Sequence, residues 1–260
     1  MPRAPSPPLS GWTLISLRPA GGHAALRRAA AKQGARVFAL SPWRLEFRDD
    51  PATRAALRAA LAAGHVVFTS PAAVDAASTL RKLRPKADQI WFAIGQGTAS
   101  ALRRAGAAPL RIRVPQRMDS EGLLALAELQ ALRGEDVGLI TAPGGRGMIA
   151  PALTRRGARV LRCDVYERVP VAWSAATVEK LRSLDQPQAW VVSSGEALQR
   201  AAQTLPAAAV RSDALAVVPS KRLAALASDL GFGRTLIAAS ARPADLVAAL
   251  AQAAAERRIR

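Results

Sequence analysis

The sequence predicts an α/β protein of two similar domains, each a parallel, doubly wound β-sheet with helices on both faces. Short apolar runs such as residues 66–68 alternate with amphipathic segments rich in Ala, Leu and Arg, such as residues 24–34. Strands that alternate with helices are typical of βαβ units and therefore of parallel sheets. The chain also repeats itself after 125 residues, which indicates two copies of one fold.

Three pairs of segments carry this repeat. They are TLISLRPAGGH (13–23) with GLITAPGGRGM (138–148), HVVFTSPAAVDAASTLR (65–81) with WVVSSGEALQRAAQTLP (190–206), and IWFAIGQGTASAL (90–102) with LAVVPSKRLAALA (215–227). Two further stretches, residues 40–49 and 163–173, alternate apolar and polar residues, as exposed strands do. They occupy corresponding places in the two repeats, so we predict that they connect the domains.

Composition narrows the class of protein. Half of the 260 residues are apolar, which allows two domains with buried cores. The net charge of +18 suits a polyanionic partner, but the arginines are scattered and aromatic residues make up only 4%, which counts against a nucleic-acid-binding protein. The single cysteine, Cys163, excludes an internal disulfide, and the sequence shows neither a signal peptide nor a membrane span. We therefore expect a cytoplasmic protein.

The stretch FAIGQGTAS, residues 92–100, begins like a phosphate-binding loop. A dinucleotide fingerprint would need a third glycine at position 100, which is Ser100, and an acidic residue at the end of the next strand. Residues 142–148, APGGRGM, contain glycines without the Gly-Lys-Ser/Thr ending of a Walker loop. Both segments therefore predict tight turns whose backbone N–H groups can bind an anion.

The sequence predicts neither a metal site nor a nucleophile. His23 and His65 are the only histidines and lie apart, and Cys163 has no partner thiol. Metal centres and Cys–His pairs need several such residues together. We expect no metal and no cofactor.

Small hydroxyl residues and glycines recur where the predicted strands end. Ligands of parallel sheets bind beyond the carboxyl ends of the strands. Ser and Thr there also cap helices, and the two roles are compatible, because a capping hydroxyl can face a ligand. We predict that this set binds a ligand with several anionic groups: Arg18, Thr69, Ser70, Gly97, Thr98, Gly144, Gly145, Arg146, Ser193, Ser194 and Ser220.

An ordered set of motifs resembles the uroporphyrinogen-III synthase family, whose enzymes close the linear tetrapyrrole of haem biosynthesis. The motifs are ISLRP (15–19), VFTSPAAV (67–74), FAIGQGTASALRRAG (92–106), DSEGLLAL (119–126), GGRGMIAPALTRRGARVLRCDVYERV (144–169) and VVSSGEAL (191–198). Each motif is weak alone, but together they follow the family's order over nearly the whole chain.

The resemblance implies two flavodoxin-like domains joined by a two-stranded β-ribbon, with the active site in the cleft between them. The first domain would be discontinuous, residues 1–40 plus 173–260, the second would span 48–163, and the ribbon would be 41–47 with 164–172. The implied substrate is hydroxymethylbilane, a polycarboxylate. Its cyclisation inverts ring D through a spiro intermediate and loses water, with no cofactor.

The resemblance also assigns roles to single residues. Tyr166, in VYERV, matches the tyrosine proposed to assist departure of the substrate hydroxyl; the alternative is a ribbon aromatic that packs on a domain. Thr98 matches the family's threonine after the glycine turn, and Thr69 and Ser70 match its FTS. The chain departs from the family's residues at four positions: Ala72, Thr141, Gly147 and Leu223.

Two alternative functions stay open at this point. One is a non-catalytic ligand-binding or regulatory relative of the synthase, and the other is a charge-driven nucleic-acid-binding protein. For the synthase we expect a monomer without membrane contact, and the resemblance leaves open a transient contact with the deaminase that makes the substrate.

Overall fold

The structure is a computed structural model, and it describes residues 6–144, 147–184, 187–206 and 214–256. The chain divides into two compact units: unit 1 comprises Met1–Arg44 and Pro170–Arg260, and unit 2 comprises Leu45–Val169. Each unit contains a five-stranded parallel sheet, and two further strands form a separate pair. The predicted fold class, with two parallel sheets and a two-stranded ribbon, is confirmed.

The elements are as follows, in chain order. The strands are β1 (Thr13–Ser16), β2 (Arg36–Ala39), β3 (Trp43–Phe47), β4 (His65–Phe68), β5 (Ile90–Ala93), β6 (Ile112–Arg113), β7 (Asp136–Thr141), β8 (Arg159–Asp164), β9 (Tyr166–Pro170), β10 (Gln188–Val191), β11 (Leu215–Val218) and β12 (Arg234–Ile237). The α-helices are α1 (Ala24–Lys32), α2 (Pro51–Ala62), α3 (Pro71–Leu80), α4 (Gln96–Arg104), α5 (Ser120–Leu124), α6 (Ile149–Arg155), α7 (Ala175–Arg182), α8 (Gly195–Thr204), α9 (Lys221–Asp229) and α10 (Pro243–Ala255). Two short 3₁₀ helices span Pro109–Arg111 and Ala127–Leu129.

The sheet of unit 1 has the strand order β12-β11-β10-β1-β2. Successive residues of a strand face opposite sides of a sheet, and both sides are buried here. Leu14 packs into one apolar cluster with residues of α1 and α10, whereas Ile15 packs into another with residues of α8 and α9. Burial on both sides explains why the inner strands β1, β10 and β11 are mostly apolar along their length rather than alternating.

The sheet of unit 2 has the strand order β6-β5-β4-β7-β8. Phe68 and Trp91 belong to the cluster that contains residues of α2, α3 and α4, while Val67 and Phe92 belong to the cluster on the other side. Helix α2 lies directly on the backbone of β7: a Cβ atom built at Gly138 would stand 2.0 Å from the carbonyl oxygen of Ala60. The absence of a side chain at this position therefore permits the helix to approach.

The predicted connecting stretches form the two-stranded sheet, in which β3 pairs with β9. In unit 2 the N–H of Arg48 donates to the carbonyl of Val165 at 2.9 Å, and in unit 1 the N–H of Val171 donates to the carbonyl of Pro42 at 3.0 Å. The chain passes from one unit to the other within these two strands.

Candidate functional site

The carboxyl edge of the unit 2 sheet brings together residues from distant parts of the chain. Strands β5, β4, β7 and β8 are neighbours in that order and all run parallel. Thr69 and Ser70 follow β4, Gly97 and Thr98 follow β5, and Tyr166 follows β8. This edge is the region where open parallel sheets bind ligands.

Two pairs of hydroxyl groups link the strand ends. The Thr69 hydroxyl donates to Oγ1 of Thr141 at 2.8 Å. Oγ of Ser70 lies 3.1 Å from the phenol oxygen of Tyr166, and it also accepts the N–H of Ala73 at 3.0 Å, which caps α3. Ser70 therefore caps the helix, as its residue type predicts, and also contacts the tyrosine, while its ligand-binding role stays a prediction.

Tyr166 is largely buried, with 8% of its surface exposed, and its ring belongs to the apolar cluster that contains Phe68 and Trp91. Tyr166 thus packs on unit 2, as the structural alternative proposed. Its hydroxyl, however, lies against Ser70 at the strand ends. The packing holds the ring in place, while the phenol oxygen belongs to the polar edge.

The turn after β5 leaves the start of α4 without a side-chain cap. Gly95 is the N-cap residue, and no side chain in the described residues accepts an N–H of the first turn. Helix N-termini present free N–H groups and a positive partial charge. Gly97 is exposed in this turn, whereas Thr98 is only 2% exposed. The backbone at Gly97 is therefore the accessible part of this motif, and the ligand role of the Thr98 hydroxyl stays a prediction.

Leu223, which departs from the family pattern, occupies the same helix position in the second repeat as Thr98 does in the first. It is the third residue of α9, as Thr98 is the third residue of α4, and each is 2% exposed. In both repeats this helix position faces the core. An apolar residue fits there, which explains how the second repeat tolerates the loss of threonine.

The glycine turn after β7 is described only in part. Gly144 adopts a left-handed conformation (φ +84°) and is exposed, and a Cβ atom there would lie 3.1 Å from Nη2 of Arg168. Left-handed backbone favours glycine. The other two candidates of this turn, Gly145 and Arg146, lie outside the described residues.

Unit 1 presents a comparable edge of its own. Ser194 caps α8 by accepting the N–H of Ala197 at 3.4 Å, and Ser220 caps α9 by accepting the N–H of Leu223 at 3.3 Å. Ser193, next to Ser194, is exposed. Arg18 follows β1 and donates to the carbonyl of Ala241 at 3.4 Å, and burial lowers the pKa of its guanidinium.

A buried histidine at the same edge of unit 1 was not among the residues predicted from the sequence. His23 is 4% exposed, its Nδ1 lies 2.9 Å from Oγ of Ser16, and its Nε2 lies 2.8 Å from Oγ of Ser41. Burial, then the charges of Arg27 and Arg18, lower the pKa of the imidazole. The neutral ring can donate through one nitrogen and accept through the other, so it bridges the ends of β1 and β2.

Neither a thiol nucleophile nor a metal cluster is found in the described residues. Cys163 is 1% exposed, its Sγ lies 3.6 Å from the carbonyl oxygen of Thr53, and burial raises its pKa to about 11. Such a thiol is unreactive at neutral pH. Within the same ranges, no three residues among His, Cys, Asp and Glu are grouped as metal ligands. No helix there combines the length and hydrophobicity needed to cross a bilayer.

Fold and strand-end chemistry together define a class: a two-unit α/β protein whose parallel sheets end in turns rich in N–H and hydroxyl donors. A family model described as uroporphyrinogen-III synthase HemD matches residues 24–248. The chain therefore belongs to the uroporphyrinogen-III synthase family, which confirms the resemblance found in its motifs.

Individual relatives agree with this assignment. The chain is 35% identical to the uroporphyrinogen-III synthase of Escherichia coli over 164 residues, and 34% identical to that of Salmonella typhimurium over 163 residues. Each match covers 62% of this chain and 66% of the relative, so it spans slightly less than two thirds of the relative's length.

Two solved structures share the fold. A mutant uroporphyrinogen III synthase from the extremely thermophilic bacterium Thermus thermophilus superposes with a TM-score of 0.63 at 18% identity, and the match covers 94% of this chain and 99% of that one. The enzyme described as uroporphyrinogen-III synthetase from Helicobacter pylori gives 0.59 at 14% identity, with the same coverage. At these identities the similarity concerns the fold alone.

Proposed function

We propose that this chain is a uroporphyrinogen-III synthase, which cyclises hydroxymethylbilane with inversion of ring D and loss of water. The observation that carries the proposal is the pair formed by Ser70 and Tyr166, 3.1 Å apart at the carboxyl edge of a parallel sheet. The pair lies in a chain that belongs to the synthase family.

Substrate binding would use many weak donors rather than a few strong ones. A polycarboxylate needs several positive or N–H-rich sites, and charge-assisted hydrogen bonds to carboxylates are stronger than neutral ones. In unit 2 the donors are the N-terminus of α4 and the hydroxyl pairs Thr69–Thr141 and Ser70–Tyr166, because each pair uses one of its two protons internally and keeps one for the ligand. In unit 1 they are Arg18, Ser193, Ser194 and Ser220. The net charge of +18 favours such a ligand.

Tyr166 would assist the first chemical step. Its phenol donates a hydrogen bond to the terminal hydroxyl of the substrate, which leaves as water and takes the phenol proton. The remaining carbocation is stabilised by the electron-rich pyrrole and is attacked by the substituted α-carbon of ring D, which forms the spiro intermediate. The bond from that α-carbon to its original methylene bridge then breaks, and the free α-carbon of ring D bonds to the released bridge carbon and closes the ring. The carbon that closes the ring then loses one proton, which restores the phenol, so the balance needs no oxidant or reductant.

Most of the rate and all of the isomer selectivity would come from positioning. The bilane closes spontaneously to the non-inverted isomer, so the enzyme must hold ring D in the inverting orientation. Anchoring the carboxylates at several strand ends is a means of doing this. The proposed site therefore contains no catalytic triad, and a single neutral acid is sufficient.

The decisive experiment is a coupled assay. Porphobilinogen and a bilane-forming deaminase supply the substrate, and oxidised uroporphyrin isomers I and III are resolved by chromatography. We expect isomer III when the chain is added. Isomer I alone would refute the synthase activity and favour a non-catalytic relative of the family.

Tyr166→Phe tests the role of the phenol. General acid catalysis typically contributes about 10²–10⁴-fold, and the pyrrole expels the hydroxyl partly unaided, so we expect kcat to fall by roughly 10- to 100-fold with KM little changed. The product should still be isomer III. Ser78→Ala removes a hydroxyl from α3 away from the strand ends and serves as the control. An unchanged kcat in Tyr166→Phe would remove Tyr166 from the reaction.

The proposal also covers the cellular location, the oligomeric state and the protein partner of this chain. We infer a cytoplasmic monomer that receives the bilane through transient contact with the deaminase, because a substrate that closes spontaneously favours a short transfer. Sedimentation velocity of the chain alone and mixed with the deaminase tests both statements. A stable dimer of the chain alone would contradict the first statement, and no faster-sedimenting species at any deaminase concentration would contradict the second.

A further inference from the structure

Unit 2 contains a cavity of about 150 Å³ at the edge of its sheet that the proposed function does not use. Its walls come from the last turn of α2, the segment after α3 and the start of β5. In a βαβ unit the helices run back along the strands, so helix ends and strand starts share one edge. The cavity therefore lies at the amino-terminal edge, opposite Thr69 and Ser70.

The walls of this cavity carry an excess of positive charge. Five cationic side chains contribute and no carboxylate does: the cations are Arg58, Arg81, Lys82, Arg84 and Lys86. None of the five makes an ion pair with any residue in the described ranges. The carboxyl ends of two helices lie here, and each supplies about half a negative charge. About four positive charges therefore remain uncompensated.

The floor of the cavity is rigid and already hydrogen-bonded. Gln89 is 1% exposed, and its Nε2 donates to the carbonyls of Leu61 and Ala63, both at 2.8 Å, while its Oε1 accepts the N–H of Lys86 at 2.9 Å. This residue satisfies the carboxyl end of α2 and holds the loop that carries the lysines. The cationic loop is thus anchored at a fixed place rather than tethered loosely.

One wall residue has a buried donor without an acceptor. Trp91 lines the cavity, is 1% exposed, and its Nε1 has no hydrogen-bond partner in the described part of the chain. Buried donors in folded proteins are nearly always paired. The unpaired indole N–H adds a donor to a wall that is otherwise cationic, and the excess charge of that wall carries the inference of a bound anion.

We propose that this cavity binds a small phosphate-bearing anion. A cavity of about this volume has room for a molecule the size of benzene, which is close to the size of a phosphate group. A phosphate carries nearly two negative charges and several strong acceptor oxygens, and Arg and Lys are its usual protein partners. A single carboxylate would leave most of the excess charge unmatched. This cavity is separate from the donors at the strand ends. The anion can therefore bind whether or not the tetrapyrrole substrate is bound.

The test is calorimetric titration of the full chain at constant ionic strength, with inorganic phosphate and with glycerol phosphate as probes. We expect saturable binding of one anion. The double variant Lys82→Gln/Lys86→Gln should weaken it at least tenfold. Tighter binding of the ester would assign a phosphorylated metabolite, and tighter binding of inorganic phosphate would assign the free ion.

The matched control is Arg28→Gln/Lys32→Gln, which removes two exposed charges from α1 in unit 1. It should change the affinity less than twofold. Equal weakening in the two double variants, or no binding beyond that of chloride at the same ionic strength, would overturn the proposal. The readout is binding without substrate, so failure here is separable from failure of the synthase assay.

Discussion

Gly138→Ala is expected to be strongly destabilising, because α2 lies on the backbone of β7 at this point. A Cβ atom at Gly138 would stand 2.0 Å from the Ala60 carbonyl oxygen, whereas ordinary contacts begin near 3.4 Å. Helix and strand would have to separate by more than 1 Å, and no side chain can rotate away. Overpacking costs about 1–3 kcal/mol, and a clash between backbones favours the upper end. At roughly 3 °C per kcal/mol, Tm should fall by about 10 °C.

Gly64→Ala is the matched control for this substitution. Gly64 lies two residues beyond α2, does not have a positive φ, and has no heavy atom within 4 Å of a Cβ built on it. A compatible Gly→Ala change stabilises by about 0.4–1 kcal/mol, because it restricts the unfolded chain. Both variants are compared by thermal and urea unfolding monitored by circular dichroism. A Gly138→Ala protein that melts within about 1 °C of the parent would show that α2 does not pack as described.

Two further predictions follow from the titratable groups. The pKa of His23 lies below its ordinary value, so the unfolded chain binds a proton first as the pH falls. The contribution of His23 to the free energy of unfolding should therefore be fully present above about pH 6.5 and be lost below it. Between urea titrations at pH 8 and at pH 5, the free energy of unfolding should fall less in His23→Gln than in the parent protein. The thiol of Cys163, with a pKa of about 11, should resist Ellman's reagent at pH 8 until urea unfolds unit 2, and prompt labelling of the native protein would contradict its burial.

Local sequence signals predicted most of the fold. The apolar run that becomes β4 is followed by Thr69 and Ser70, and Ser70 caps the next helix as its residue type indicates. The same alternation of strand and capped helix recurs in the second repeat at Ser194. These features depend on neighbours within a few residues, which is why periodicity and cap residues reveal them.

The contacts within the candidate site depend on strand order, which such signals do not specify. Ser70 and Tyr166 are 96 residues apart in the chain and meet only because β7 lies between β4 and β8. His23 likewise takes its partners from two other segments, at Ser16 and Ser41. One feature of the sequence would have predicted the burial of Thr98. Thr98 lies four residues before Leu102, so the two share one face of α4, and both face the core.

The strand order of unit 1 has a consequence for synthesis on the ribosome. Strand β1 pairs with β10, and Thr13 aligns with Gln188, about 175 residues later. Translation at roughly 5–20 residues per second leaves one side of β1 unpaired for about 10 to 35 s, and the contiguous sequence of unit 2 is completed before β10 is made. An open strand edge invites pairing with other chains. Nascent chains that stop before β10 should therefore hold a folded unit 2 beside an aggregation-prone amino-terminal segment, and recruit chaperones at that segment.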